Sequence, residues 1–231
     1  LRRLGNDAWF KLGDKDLATH LTRTRLLQEG QPLSAITERI GKSLGVKAKI
    51  LPMSDDRVET RIHTPQGEIS FQEFFVKQHW APDVIGVRFA GAETSRPAPE
   101  VIGAIERAAA IIICPSNPIT SIGPILAVPG IHEALKKSVA PIIAVSPIIG
   151  VTAISGPAHK LMVASGLPAT ALGVAEHYDE FIDTLVLANE DRAFSEAIAN
   201  MDIKVVRSEI RMPSLAEKTR LAREVLASLG K

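Results

Sequence analysis

The sequence predicts an α/β fold: a Rossmann-like, mostly parallel sheet with helices on both faces and an inserted helical and hairpin subdomain. Three observations predict it. From Pro97 onward, short apolar runs of strand length alternate with segments of helical length, the pattern of parallel βαβ units. Two of those runs, 111–114 and 141–145, stop at loops of Ser, Pro, Asn and Gly, as strands do where open α/β sheets bind ligands. The residues before Pro97 break this pattern with a helical stretch and then an alternating hairpin. The chain reads as a single domain over 1–231, with the insertion at about 14–80 and the core at 81–231.

Taken in order, 1–49 is mainly helical. Leu17, Leu21 and Thr24 share one face, and Asp16 is a plausible cap. The opening Leu1-Arg2-Arg3-Leu4 has no initiator Met and starts as if inside a helix, as a fragment or truncated product would. Gly30-Gln31-Pro32 marks a turn, and 32–44 is a second helix with Leu33, Ile36, Ile40 and Leu44 on one face and Gly45 as its stop. A strand follows at 49–52, then a hairpin of 58–64 and 69–75 around Pro65-Gln66-Gly67-Glu68. Seven of the ten aromatics fall within 1–89. They include Phe71, Phe74, Phe75 and Trp80, so the hairpin is expected to roof a pocket or to cover a small second core.

The strand at 84–89 and the helix at 99–108 lead to 110–114, whose apolar character suits a strand buried on both faces. Its Cys114 is expected to be a buried, inert thiol. A helix to 138, interrupted at Pro129-Gly130, precedes the strand 141–145, the loop 146–157 and helices at 158–165 and 170–178. A strand at 183–187, a helix at 191–201 and a strand at 203–206 follow. The closing helix, 214–229, is expected to turn Leu215, Ala222, Leu226 and Leu229 inward.

Composition narrows the function classes. A net charge of +1 from 27 basic and 26 acidic residues gives no electrostatic footprint for nucleic acid or an anionic membrane. A single cysteine excludes an internal disulfide and a cysteine zinc cluster. The most apolar stretch, 139–151, is too short to span a bilayer and contains Pro141, Ser146 and Pro147; a cytoplasmic protein is expected. There is no Gly-x-Gly-x-x-Gly and no Gly-Lys-Ser/Thr loop, which disfavours ordinary NAD binding and P-loop hydrolysis.

Three stretches carry candidate chemistry. After 111–114, Ser116, Asn117, Thr120 and Ser121 offer short donors, and a helix opening near Ser121 would add free N–H groups, together an anion cradle. A capped tight turn explains the same residues equally well. Ser146-Pro147-Ile148-Ile149-Gly150 ends the next strand and would lie beside the first loop. In 9–20, Asp14 and Asp16 could hold Mg²⁺ with substrate phosphates, Trp9 and Phe10 could stack on a flat ring, and His20 and Arg23 face the same way one turn apart. An ordinary helix start, with dipole-favoured aspartates and a packed aromatic staple, accounts for that segment too. Met53-Ser54-Asp55-Asp56 is a second carboxylate pair and reads as a solvated turn. The remaining histidines show no metal-ligand spacing.

Together these stretches resemble the 2-phospho-L-lactate transferases of coenzyme F(420) biosynthesis. The resemblance rests on Trp9 to His20, Arg23-Thr24, Gly30-x-x-Leu33-Ser34, Met53-Ser54-Asp55-Asp56 and Phe71-Gln72-Glu73-Phe74-Phe75. It continues through Cys114-Pro115-Ser116-Asn117-Pro118, Ser121-Ile122-Gly123-Pro124-Ile125-Leu126 and Ser146-Pro147-Ile148-Ile149-Gly150. It implies a Rossmann-like homodimer that moves a 2-phospholactyl or phosphoenolpyruvyl group from a guanosine diphosphate donor to a deazaflavin ribityl hydroxyl, releasing GMP with Mg²⁺ required. It further implies that Trp9, Phe10, Thr19, His20 and Arg23 bind the deazaflavin acceptor, and that Asp14 and Asp16 act at the metal and the attacking hydroxyl, with Asp14 a metal ligand. Ser116, Asn117, Pro118, Ser121, Ile122 and Gly123 would cradle the diphosphate or ribose, and Ser146, Pro147 and Gly150 the guanosine side.

The family's opening strand and Gly-rich phosphate loop have no counterpart in this sequence. Val151 stands where Gly is common, and Ser155 where Lys is usual. Weak nucleotide binding by this chain alone is the expected consequence, with turnover not assured. The alternative reading is a non-catalytic nucleotide-sugar-binding regulator of the same superfamily.

Overall fold

The computed structural model describes residues 9–10, 12–150, 152–153 and 156–229. The positions Leu1 to Leu4, Val151 and Ser155, on which expectations were placed, lie outside the described residues.

Two helices open the described chain, α1 (Asp14–Gln28) and α2 (Leu33–Ser43). Asp16 does not cap α1; Gly13 occupies the cap position without a side-chain bond. The face shared by Leu17, Leu21 and Thr24 points to solvent. Leu17 and Leu21 are exposed, Leu21 by 62%, and only Leu26 of this helix is buried. The reason is that α1 packs on α2 and on little else, so one leucine suffices for its contact. In α2 the apolar periodicity buries Ile36, while Leu44 is exposed and Gly45 takes the left-handed backbone of a helix stop.

Next come β1 (Glu59–Thr64), β2 (Gly67–Ser70) and β3 (Gly86–Ala90), an antiparallel sheet in the order β2-β1-β3. The hairpin register places Thr64 opposite Gly67. Two expectations fail here. Residues 49–52 form no strand, because the only ladder nearby is a single Ser54–Pro97 bridge. The second hairpin strand ends at Ser70, whose hydroxyl accepts the Glu73 N–H at 3.1 Å and turns the chain into a π-helical segment, Glu73–Lys77. Ser70-x-x-Glu73 has the spacing of a capping box, which explains why Phe71 to Phe75 do not continue the alternation.

After α3 (Val101–Glu106) the core sheet begins with β4 (Ile111–Ile113). A π-helical turn (Pro118–Ile122) runs into α4 (Gly123–Leu126), and α5 (Ile131–Lys136) follows beyond the expected Pro129-Gly130 break. Then come β5 (Ile142–Val145), the small hairpin β6 (Ile148–Ile149) and β7 (Thr152–Ala153), α6 (Ala158–Ala164) and α7 (Ala171–Tyr178). The chain continues through β8 (Thr184–Ala188), a 3₁₀ turn (Asn189–Phe194), α8 (Ser195–Ala199), β9 (Lys204–Ser208) and α9 (Leu215–Ser228).

The core sheet is fully parallel in the order β4-β5-β8-β9. Alternation along β5 explains its two cores. Ile142 and Ala144 face a large cluster with Leu161, Val174, Tyr178 and Leu185, whereas Ile143 and Val145 face a smaller one with Leu221 and Val225 of α9. Thus α9 is docked by Leu221 and Val225, with Leu229 of the expected set packed against the same cluster, whereas Leu215, Ala222 and Leu226 are exposed. Helices on both faces and a buried parallel centre match the expected fold class.

β4 departs from expectation. It is an edge strand among the described residues, not one buried on both faces; Ile112 is 39% exposed and Cys114 is exposed. Both border an apolar groove of about 290 Å³ against Met212, Ala222 and Leu226.

Candidate functional site

At the carboxyl end of β4 the chain meets Pro115 and cannot continue the ladder. Asn117 then adopts a non-helical backbone, and Pro118 takes the first helical position, where no N–H is missed. The Asn117 side-chain oxygen accepts the N–H groups of Ile119 at 3.0 Å and Thr120 at 3.1 Å. Its main-chain oxygen accepts those of Ser121 and Ile122, at 3.0 and 3.2 Å. The helical segment therefore opens at Pro118 rather than near Ser121, Asn117 caps it as the tight-turn alternative requires, and the Ser121 and Ile122 N–H groups are taken by its main-chain oxygen. What remains for a ligand is hydroxyl chemistry. Ser116, Thr120 and Ser121 line a cavity of about 490 Å³ together with Asn117.

The second loop supplies the floor. After β5, the Ser146 N–H donates to the Val186 carbonyl at 2.9 Å. Its fully buried hydroxyl both donates to the Ile148 carbonyl and accepts the Ile148 N–H, each at 3.1 Å. Ser146 therefore shapes the loop, and its neighbour Pro147 lines the cavity. Gly150, at φ +64, donates its N–H to Asp191 Oδ1 at 2.8 Å. Asp191 lies just beyond β8, is 2% exposed, and leaves Oδ2 without a partner. Desolvation by burial pushes its carboxyl above the usual carboxylate range, opposed by the Gly150 bond and aided by the Glu190 charge.

The opposite wall comes from the hairpin region, where Phe71 and Phe75 line the cavity. They stack with centroids 5.4 Å apart and 21° between planes. Gly156, Pro157 and Ala158 at the start of α6, with Met212 after β9, complete the lining. The expectation that the hairpin region roofs a pocket thus has a structural counterpart. Among the described residues that line the cavity there is no Lys, Arg, His, Asp or Glu.

The expected site residues divide accordingly. Ser116, Asn117, Ser121 and Pro147 meet at the cavity. Pro118 is buried, Ile122 packs against the large core, and Gly123 is buried where a Cβ would approach the Phe89 ring to 2.8 Å. These three support the turn rather than line the cavity.

Trp9, Phe10, Asp14, Asp16, Thr19, His20 and Arg23 are likewise not among its lining residues. Trp9 and Phe10 meet edge to face at 5.6 Å, and Thr19 Oγ1 donates to the Lys15 carbonyl at 3.0 Å. His20 Nδ1 and Arg23 Nη2 lie 2.5 Å apart, one turn apart on the same face as expected. Asp14 and Asp16 are exposed in the first turn of α1, and Asp14 Oδ1 accepts the Lys15 N–H at 2.9 Å. Two residues apart on a helix, they point roughly 200° away from each other. Among the described residues no three His, Cys, Asp or Glu side chains group as a metal cage.

Sequence reading named Thr120 among the loop donors and Phe71 and Phe75 in a hairpin expected to roof a pocket, but it singled out neither Met212, which lines the cavity, nor Asp191, which holds Gly150. Thr120 was legible from its loop. Asp191 carries no local signal, because its partner Gly150 is 41 residues away.

Among the described residues, no helix is long and apolar enough to cross a membrane. The fold is shared with a UPF0052 family protein from Bacillus halodurans, whose crystal structure superposes with a TM-score of 0.64 at 16% identity, covering 90% of this chain and 70% of that one. In sequence, the chain is 43% identical to a 2-phospho-L-lactate transferase of Methanosarcina acetivorans over 226 residues, covering 98% of this chain and 73% of the relative. It is 38% identical to the 2-phospho-L-lactate transferase of Methanocaldococcus jannaschii, covering 100% of this chain and 74% of that one. It is 42% identical to a phosphoenolpyruvate transferase of Kitasatospora aureofaciens, covering 95% and 70% respectively. The family model for 2-phospho-L-lactate transferase CofD matches residues 4–224, and the chain belongs to that transferase family.

Proposed function

We propose that the chain moves a 2-phospholactyl or phosphoenolpyruvyl group from a guanosine diphosphate donor to the ribityl hydroxyl of a deazaflavin acceptor. The observation that carries this reading is one cavity with two chemistries, hydroxyls from Ser116, Thr120 and Ser121 on one side and the stacked Phe71 and Phe75 rings on the other. The first suits phosphate and ribose oxygens; the second suits a flat heteroaromatic ring. The two names carried by relatives, 2-phospho-L-lactate transferase and phosphoenolpyruvate transferase, support the choice between two donor acyl groups.

In this reading the ribityl oxygen attacks the phosphorus that bears the lactyl or enolpyruvyl ester. The phosphoanhydride bond to the guanosine monophosphate breaks, GMP leaves, and the hydroxyl proton passes to a carboxylate. Asp14 and Asp16 are the candidates for that base. The chain's own contribution is chiefly positioning, as in other phosphoryl transfers. Mg²⁺, held mainly by the donor's phosphates with Asp14 as the candidate protein ligand, would supply the positive charge that the cavity lining lacks.

The test is to incubate the protein with the deazaflavin, the guanosine donor and Mg²⁺ and to measure GMP by chromatography. Stoichiometric GMP and deazaflavin carrying the phospholactyl or phosphoenolpyruvyl group as a phosphodiester are expected, with Asp14→Asn and Asp16→Asn each slower by about 10²-fold or more. A folded protein that releases no GMP, and that is stabilised by uridine diphosphate sugars but not by GDP, would instead be a binding regulator. Light scattering at working concentration tests the homodimer that accompanies this reading.

A further inference from the structure

We propose that Lys160 is a positioning residue for a flat aromatic ligand: it pins the backbone at 80–82 and thereby holds the Phe71–Phe75–Trp80 stack at the cavity wall. The inference rests on the acceptor reading above and adds to it a residue outside the cavity lining.

Lys160 lies on α6, two residues beyond Ala158, which lines the cavity. Its ammonium donates to three consecutive carbonyls, Trp80 at 3.0 Å, Ala81 at 2.9 Å and Pro82 at 3.2 Å. A lysine has three hydrogens to donate, so these bonds account for all of them, and none is left for a substrate phosphate. The carbonyls belong to a bend that includes left-handed backbone at His79 (φ 49) and Trp80 (φ 48), a conformation that residues other than glycine adopt at a cost and keep only where their surroundings impose it.

The Trp80 N–H donates to the Phe74 carbonyl at 2.8 Å, which closes the bend onto the π-helical segment. The Trp80 ring then stacks on Phe75 at 5.2 Å and 30°, and Phe75 on Phe71 at 5.4 Å and 21°. Only the latter two rings line the cavity. Trp80 backs them from outside, 40% exposed. On the other side, Gly156 leaves no spare room, since a Cβ there would come within 3.2 Å of the Phe75 ring. Phe75 is thus held between Phe71 and Trp80, so that the stack position depends on Trp80, and the Trp80 backbone is held by Lys160. Because α6 also packs on the Pro118–Ile122 turn, the same short helix fixes the aromatic wall relative to the hydroxyl-bearing loop.

The chain has two tryptophans, so Trp9→Phe leaves Trp80 as the sole reporter. In that background Lys160→Met, which keeps the apolar stem and removes the donors, is compared with its parent by acrylamide quenching of Trp80; titrations with deazaflavin and, separately, GDP compare Lys160→Met with its parent in the wild-type background, where Trp9 is intact. Lys160→Met is expected to raise the quenching constant at least twofold, to weaken deazaflavin binding about tenfold, and to leave GDP affinity within twofold. Lys160→Gln, which keeps two donors, is expected to fall between and carries the test if the Met variant does not fold. Unchanged deazaflavin affinity in the variants overturns the proposal, whether or not Trp80 loosens. A parent that binds GDP but no deazaflavin overturns the acceptor reading and this role together. A parent that binds both, with variants that lose both equally, overturns only the selective role of Lys160.

Discussion

His177 and Asn117 hold the same turn from two sides. Asn117 gathers the N–H groups of Ile119, Thr120, Ser121 and Ile122, while His177 of α7 bonds the Pro118 carbonyl and leaves its buried Nε2 without a partner. Burial is the main force holding the imidazole below its usual titration range, with repulsion from His132 adding to it and the Pro118 bond opposing it. A folded-state value below the unfolded one, about 6.5, means that stability present above that pH is lost as pH falls from there through the folded value. Melting temperature should therefore drop more between about pH 7.5 and 5 in the wild type than in His177→Asn, measured by thermal melts of both. At the same scale, Cys114 is exposed at the β4 edge rather than buried. The native protein should react with a thiol-exchange reagent such as DTNB at one site per chain without denaturant, and slow or absent reaction would contradict that exposure.

Among the elements, α7 shows how one residue type can be dictated by an approach invisible in sequence. Gly173 is buried, and a Cβ there would lie 1.9 Å from the Pro168 carbonyl oxygen. Backbone cannot retreat as a flexible side-chain tip can, so Gly173→Ala should cost about 3 kcal/mol or more in a denaturant titration, at the upper end of overpacking effects. On propensity alone the same change in a helix would stabilise by about 1 kcal/mol, so the sign of the measured effect discriminates. The helices read as opening at Thr170 and Ser214 do begin there, and in the structure both side chains cap them by accepting backbone N–H groups. The facing of α9 was not legible. Its apolar residues offer more than one candidate stripe, and the sheet surface presented by Ile143, Val145 and Val186 selects Leu221 and Val225.

For the molecule as a whole, stability is unevenly distributed. The central strands β5 and β8 are buried along their whole length and share the two cores, whereas α1 contributes one buried residue, Leu26. Amides of α1 should therefore exchange with solvent about 10³-fold or more faster than those of β5 and β8 in native-state hydrogen exchange, since local opening of α1 exposes little apolar surface. Comparable protection in both would show that α1 is held by contacts beyond those described.

The alternation of apolar runs with helical segments was enough to read the parallel α/β class, the strands β5, β8 and β9 and the two polar loops that follow β4 and β5, because burial on both faces and short loop chemistry are local properties of sequence. The family motifs likewise lie in contiguous stretches and could be read directly. Decided only in three dimensions were the places where distant segments meet: Phe71 and Phe75 opposite Ser116 and Ser121, Asp191 beneath Gly150, and Lys160 against the carbonyls at 80–82. Such pairings depend on how the sheet and its helices pack, and no local pattern encodes a partner forty or eighty residues away. The same reason explains the misread faces of β4 and α9, since periodicity shows that a face exists and only tertiary packing chooses what covers it.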